Sequence, residues 1–140
     1  MEKYAPTQKA IDALKSGKHW RDLASARAKN SLGSFLMNQL YLKDVSAGTV
    51  SELAGLHRAT LYKILNGDTH PTRNVLLRLS RVLDMDMEKT QELLKLADVP
   101  MLSGSKKADL IIMYGIINKL SISDIDDDLV RNACPGLYSK

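Results

Sequence analysis

The sequence predicts an all-α protein. Its 140 residues are 44% hydrophobic but only 5% aromatic, and the alternating β-branched runs typical of strands are missing. Apolar residues recur instead at helical spacing, in segments separated by Gly, Pro, Asn and Ser. A chain of this length is about one domain and can bury a single core. The prediction is therefore a helical bundle with an N-terminal helical extension and a C-terminal helical hairpin.

Residues 1–30 are predicted to form the N-terminal helical extension. Pro6 stands at an allowed first-turn position of a helix over about 6–15, which Ser16-Gly17 interrupts. A second helix over about 18–29 carries a weak apolar stripe. Asn30 or Ser31 is then predicted to cap a new helix that reaches about residue 43.

Two short helices are predicted next, with Gly55-Leu56 between them. Ser46 is a plausible cap for the first helix, and Gly55 ends it. Gly48, inside that helix, costs it roughly 1 kcal/mol relative to Ala. The second helix runs from about Arg58 to Leu65 and stops at Asn66-Gly67.

The second short helix has two distinct faces. At 3.6 residues per turn, positions i, i+1, i+4 and i+5 share one side. Leu61, Ile64 and Leu65 are predicted to be buried, and the opposite side carries Arg58, Ala59, Tyr62 and Lys63. Two short helices with a Gly-containing turn are the outline of a helix-turn-helix unit, which holds one helix out for the DNA major groove.

The C-terminal part is predicted to contain four more helices. Thr72 can cap a helix to about residue 83, and Asp86 starts another that ends near Pro100. These complete a domain over 31–100, and 101–140 form the hairpin, with helices over about 106–120 and 121–133. The run 110–117 is apolar on nearly all sides, so it either closes the same core or mediates self-association.

Charge is unevenly distributed along the chain. Residues 55–83 carry five cations and one anion, whereas 84–140 carry seven cations and ten anions. Local basicity at the helix-turn-helix stretch predicts an electrostatic footprint for nucleic acid.

The chain resembles the DNA-binding domain of lambdoid phage repressors and Cro, the xenobiotic-response-element type. The resemblance covers residues 32–83, and the 12-residue step from Gly55 to Gly67 equals the step in that family. More weakly, the continuation to about residue 130 resembles regulators in which the motif precedes an apolar hairpin. The segments that carry these resemblances are Gly55-Leu56, 58–64, Asn66-Gly67, Pro71-Thr72, 91–97, 100–102 and 107–114.

The resemblance implies which residues contact DNA. Arg58 and Ala59 take the front of the recognition helix, where Arg58 can bond to guanine and Ala59 can pack on a thymine methyl. Tyr62 and Lys63 are expected to reach a base or a phosphate. His57 stands at the helix start, where the family usually has a Ser or Thr cap, and is also expected to contact DNA. The remaining candidates are expected to contact the DNA backbone: Thr60, Asn66, His70 and Arg73.

No catalytic or cofactor motif competes with this interpretation. His19, His57 and His70 are scattered and far from the single Cys134, so neither a zinc site nor an internal disulfide is expected. Asp124 to Asp128 lack the spacing of a calcium loop and are predicted to form the acidic start of a helix. We expect no enzyme activity, no cofactor and no metal. A cytoplasmic location is expected because a single cysteine suits a reducing compartment.

The sequence thus predicts a bacterial or phage transcriptional regulator, a repressor that binds double-stranded DNA, with a homodimer as a possible form. The alternative is a protein-interaction adaptor, or an antitoxin-like partner of a regulatory protein, that keeps the fold without sequence-specific DNA binding. RNA binding ranks third, because no aromatic stacking platform is visible.

Overall fold

The computed structural model describes the backbone of residues 5–139 and the side chains of residues 8–19 and 31–139. Within these residues the chain is all-helical and has no strand, which confirms the predicted fold class. No helix in this part of the chain is both long and apolar enough to cross a membrane. The elements are α1 Ala5–Lys15, α2 Trp20–Lys43, α3 Ala47–Leu53, α4 Arg58–Leu65, α5 Arg73–Val82, α6 Met87–Leu96, α7 Lys107–Ile117 and α8 Ile122–Arg131.

One long helix, α2, replaces two of the predicted helices. The predicted break at Asn30 or Ser31 is wrong, because α2 continues from Trp20 to Lys43 without interruption. Asn and Ser cost a helix interior only a few tenths of a kcal/mol, so neither residue forces an end. The boundary that the sequence suggested between residues 30 and 31 therefore lies inside a helix.

The other predicted helix starts are present. Ser46, Thr72, Asp86 and Ser121 each accept a hydrogen bond from the backbone N–H three residues ahead, so all four act as N-caps. These bonds fix where α3, α5, α6 and α8 begin.

The described helices all end in the same way. Just past each helix, one residue takes a positive φ, and two backbone N–H groups turn back to the last carbonyls. In α4, Gly67 N–H bonds to Ile64 O at 3.1 Å and Asp68 N–H bonds to Lys63 O at 2.8 Å. The eight left-handed residues are Gly17, Asp44, Gly55, Gly67, Asp84, Asp98, Lys119 and Ala133.

A single buried cluster joins the helix-turn-helix region to the C-terminal hairpin. It begins at Leu32 in α2 and extends to Leu137, beyond α8. Leu76, Leu77 and Leu79 of α5 are almost completely buried at its centre. Residues on both sides of position 100 thus share one core.

Three arginines of α5 bind backbone carbonyls or carboxylates elsewhere in the fold. Arg81 Nε donates to Leu120 O at 3.1 Å, between α7 and α8. Arg78 Nε donates to Ala54 O at 2.8 Å, and its Nη1 donates to the Leu137 carbonyl. These bonds and those of Arg73, the third arginine, hold the C-terminal segment against the helix-turn-helix unit.

Candidate nucleic-acid interface

α3 is the first helix of the motif and packs on the core through one side. Val50 and Ser51 are buried, and Ala54, just past the helix, is completely buried. Ser46 accepts the Thr49 N–H at 3.1 Å, and Ser51 Oγ donates to the Gly48 carbonyl at 2.8 Å. These side-chain bonds hold the first turn of this seven-residue helix in place.

The turn between α3 and α4 is fixed by the backbone and by the C-terminal tail. Gly55 has φ +69°, a backbone conformation that glycine adopts without the steric cost that a Cβ brings. Leu56 N–H bonds back to Ser51 O at 2.8 Å, and a Cβ at Gly55 would lie 3.1 Å from Tyr138 Cε1. The Tyr138 ring also lies 4.6 Å from the Arg78 guanidinium carbon, in cation–π geometry. The tail therefore supports the corner that sets the angle between α3 and α4.

α4 has a buried side and an exposed side. Leu61 and Ile64 are 1% exposed and anchor the helix in the core. Its exposed face consists of the four residues that the sequence placed together: Arg58, Ala59, Tyr62 and Lys63. We call these four residues the α4 face.

The remaining predicted site residues lie just before α4, within it or in the loop that follows it. His57 is the N-cap residue of α4 and makes no side-chain cap hydrogen bond. His57, Asn66 and His70 are exposed, whereas Thr60 is half-buried. The exposed side chains are therefore open to a ligand at both ends of the helix and in the following loop.

α2 determines how close α4 sits to the rest of the protein. A Cβ at Gly33 would overlap the Leu65 carbonyl oxygen and lie 3.0 Å from its carbonyl carbon. The backbones of α2 and α4 thus meet at a point where only glycine fits. An interior glycine in a helix commonly signals such an approach, but its partner cannot be identified from the sequence.

The Arg58 side chain extends from α4 onto α3. A Cβ at Gly48 would lie 2.6 Å from Arg58 Nη2 and 3.1 Å from Arg58 Cζ. The sequence marked Gly48 only as a weak point of α3. In the structure, the absence of a side chain at Gly48 allows the Arg58 guanidinium to lie against the α3 backbone.

Arg73 has a different role from the predicted contact with the DNA backbone. Its Nη1 and Nη2 donate to the two Asp109 carboxylate oxygens at 3.0 and 2.8 Å. Its Nε donates to Pro100 O at 2.8 Å, and Nη2 also reaches Met101 O. The guanidinium is thus bound within the fold, and we remove Arg73 from the candidate interface.

The Asp109 carboxylate is held as an anion inside the protein. Its side chain is 3% exposed, and burial alone would raise its pKa. Hydrogen bonds from Arg73 and from the Ser103 N–H, with the charges of Arg73 and Lys106, outweigh burial and lower the Asp109 pKa below its ordinary value.

The number of cations in residues 55–83 therefore overestimates the exposed positive charge of this segment. Of the five cations in residues 55–83, Arg73, Arg78 and Arg81 bind groups within the protein. Burial lowers the pKa of both Arg78 and Arg81, although nearby negative groups oppose that shift. Arg58 and Lys63 remain as the exposed cations of this segment.

The described residues contain no group of three or more His, Cys, Asp or Glu side chains that could hold a metal ion. Asp124 lies in the first turn of α8, as predicted for an acidic helix start. Asp126 accepts the Leu137 N–H at 2.8 Å and so holds the C-terminal tail.

Comparison with known families supports the helix-turn-helix assignment. A family model described as helix-turn-helix matches residues 42–89, about a third of the chain, and confirms the resemblance for that segment. The match begins in the last turn of α2 and ends in the first turn of α6, so it includes α3, α4 and α5. No curated protein and no solved structure matches.

Proposed function

Because residues 42–89 carry a Cro/C1-type helix-turn-helix domain, a DNA-binding domain of transcription regulators, we propose that this protein is a sequence-specific repressor. In this proposal α4 enters the major groove and reads base edges. The observation that carries it is the α4 face, which is exposed while Leu61 and Ile64 of the same helix are buried. A short helix fixed on one side and open on the other fits the known docking geometry of this motif.

Each residue of the α4 face has a proposed contact. Arg58 donates two hydrogen bonds to O6 and N7 of a guanine, and Ala59 packs against a thymine methyl group. Lys63 and Tyr62, one turn further, contact a base or a phosphate. We propose backbone contacts for the neighbouring polar residues His57, Thr60, Asn66 and His70.

We also propose that the protein binds DNA as a two-fold dimer through α7. Leu110, Tyr114 and Ile117 are 50%, 61% and 66% exposed, and their spacing places them on one side of the helix. We call these three residues the α7 stripe. Exposed large apolar side chains in a row favour contact with a protein surface over contact with water.

The charges around the α7 stripe favour a second copy of the chain as the partner. α7 and α8 form an antiparallel pair, in which Lys107 and Leu110 lie near Asn132, at the end of α8. Lys106, Lys107 and Arg131 therefore lie at one end of the pair with a single carboxylate, Asp128. The other end carries the exposed Asp124, and Lys119 at that end is paired with Asp84 at 3.8 Å. A two-fold axis across the stripe brings the basic end of one copy to the acidic end of the other.

Selection of bound fragments from random double-stranded DNA tests the proposal. We expect enrichment of an inverted repeat whose half-sites are one helical turn, about 10 base pairs, apart. The control is the double variant Arg58→Ala/Lys63→Ala, which should enrich no sequence. Equal recovery of all sequences by the unaltered protein would contradict sequence-specific reading. Absence of DNA binding at low salt would favour the adaptor alternative.

A further inference from the structure

Gly48 lies at a position where the backbone does not require glycine. It belongs to α3, it is half-buried, and it is not among the residues with positive φ. Alanine would suit a helix interior better than glycine. The reason for glycine at this position must therefore lie in what occupies the space beside it.

That space is filled by the Arg58 guanidinium. An added Cβ at Gly48 would lie 2.6 Å from Nη2, 3.1 Å from Cζ and 3.2 Å from Nε of Arg58. Three atoms of the planar group are thus close to the same point, so the guanidinium lies over the α3 backbone. A methyl group at position 48 would displace it.

The α3 surface beneath the guanidinium is itself well fixed. Ser51 Oγ donates to the Gly48 carbonyl at 2.8 Å, and Ser46 caps the Thr49 N–H at 3.1 Å. Val50, two residues further, is 1% exposed and anchors α3 in the core. Arg58 therefore rests on a rigid surface, although it belongs to the neighbouring helix.

We propose that Gly48 is a positioning residue that holds Arg58 ready for base recognition, an inference that rests on the proposed function. An arginine that is already ordered loses less side-chain freedom when it binds. Bidentate contact with guanine also needs the guanidinium plane at a defined angle. From the usual cost of immobilising a side chain, we expect this arrangement to strengthen specific binding by roughly 3- to 10-fold.

The variant Gly48→Ala tests this role on the DNA sequence selected by the unaltered protein. We expect its affinity to fall by roughly 3- to 10-fold, with weaker preference at the base pair that Arg58 reads. Its thermal midpoint should be unchanged or higher, because alanine favours the helix and only a flexible side-chain end must move. Gly104→Ala is the control, since a Cβ at Gly104 meets nothing within 4 Å.

A double-variant cycle shows whether Gly48 acts through Arg58. In the Arg58→Ala background, Gly48→Ala should cause no further loss of affinity, because the group that it displaces is gone. An equal loss in both backgrounds would overturn the proposal, as would unchanged affinity and specificity in the single variant.

A measurement without DNA separates this inference from the proposed function. In NMR relaxation experiments, the Arg58 Nε–H group should be more ordered than that of Arg131, whose side chain is 75% exposed. Gly48→Ala should make the Arg58 signal as mobile as the Arg131 signal. If Arg58 is already that mobile in the unaltered protein, Gly48 does not position it. An ordered Arg58 in a protein that binds no DNA would instead contradict the proposed function alone.

Discussion

Arginine serves two different purposes in adjacent helices of this protein. Arg58 on α4 is exposed, whereas Arg78 on α5 is 7% exposed and binds carbonyl oxygens of Ala54 and Leu137. A buried guanidinium can bind several carbonyls at once because it has five N–H donors in a fixed plane. The number of charged residues in a segment therefore indicates the charge of the protein surface only when arginines that bind groups inside the protein are left out of the count.

The first prediction concerns base recognition by Arg58. Arg58→Ala should cost about 1–3 kcal/mol of binding free energy on the specific site and relax the preference at one base pair. The loss arises because the guanine acceptors are left without their bidentate donor. Binding to the selected site and to single-base variants of it, measured by fluorescence anisotropy, gives both quantities. Arg131→Ala, at an exposed position of α8, controls for the loss of one charge. An equal loss on every sequence would make Arg58 a phosphate contact instead.

The second prediction concerns pH and the Arg73–Asp109 ion pair. The folded state lowers the Asp109 pKa, so the pair contributes stability above the unfolded pKa of about 4. That contribution is lost as the pH falls through the lower, folded-state pKa. We expect the free energy of unfolding in urea to fall less between pH 7 and pH 3 for Asp109→Asn than for the unaltered protein.

The control for this prediction is Asp127→Asn, at an exposed position of α8. It should keep the pH dependence of the unaltered protein. An identical pH dependence for Asp109→Asn would show that the ion pair makes no pH-dependent contribution.

The same ion pair can be broken from its other side. At pH 7, Arg73→Ala should lower the free energy of unfolding by about 3 kcal/mol, because it leaves a buried carboxylate without its partner.

At the scale of the helices, the sequence predicts starts better than ends. Ser46, Thr72, Asp86 and Ser121 are good N-caps by residue type, and all four cap helices in the structure. Gly55 and Gly67 are equally plain signals at the C-terminal ends. Lys119 and Ala133 adopt the same left-handed conformation, but neither residue type indicates it, because a Cβ makes that conformation sterically unfavourable.

The partners of α4 and α5 could not be predicted, because they are distant in the chain. Asp109 lies 36 residues beyond Arg73, so the sequence left Arg73 available for DNA. The α4 face was predictable, since it needs only helical periodicity and the positions of Leu61 and Ile64. The roles of Gly48 and Gly33 could not be predicted, because they depend on which side chain or carbonyl group approaches each glycine in the fold.

The third prediction concerns the contact between α2 and α4. Gly33→Ala should destabilise the protein by about 1–3 kcal/mol, because the new Cβ overlaps the Leu65 carbonyl and the two helices must separate. Thermal or urea unfolding followed by circular dichroism measures the change. Gly104→Ala, at an open position, serves as the matched control. Increased stability for Gly33→Ala would mean that helix propensity outweighs the overlap and that the contact is looser than described.

The fourth prediction concerns the α7 stripe. Tyr114→Glu should convert a dimer into a monomer, because an unpaired carboxylate would be buried at the centre of the proposed interface. Sedimentation equilibrium at tens of micromolar measures the mass. Tyr41→Glu is the control, since Tyr41 is 83% exposed on α2, outside the stripe. A monomeric unaltered protein, or equal masses for both variants, would contradict dimerisation through α7.

At the scale of the whole molecule, the DNA-binding motif depends on residues outside the matched segment. Ala54 O, in the turn of the motif, is joined through Arg78 to the Leu137 carbonyl. Leu137 and Ile125 are 1% and 0% exposed, and both belong to the same buried cluster as Leu61 and Ile64. The C-terminal hairpin and tail thus act as part of the scaffold that positions α4.

The fifth prediction follows from this shared core. A chain that ends at residue 100 loses the Asp109, Leu120 and Leu137 acceptors of the three α5 arginines, and uncovers part of the buried cluster. Unsatisfied arginines and exposed leucines are both costly. We therefore expect this truncated chain to unfold without a cooperative transition and to lose specific DNA binding. Calorimetry and DNA titration test the two effects separately.

Removal of residues 1–16 provides the matched control for that truncation. No described side chain among residues 8–19 is buried, so the shortened protein should keep a cooperative transition and specific DNA binding. If the chain ending at residue 100 instead melts cooperatively with an unchanged midpoint, the first hundred residues fold independently. The hairpin would then be an attached unit, and the α5 arginines would not need the acceptors that it supplies.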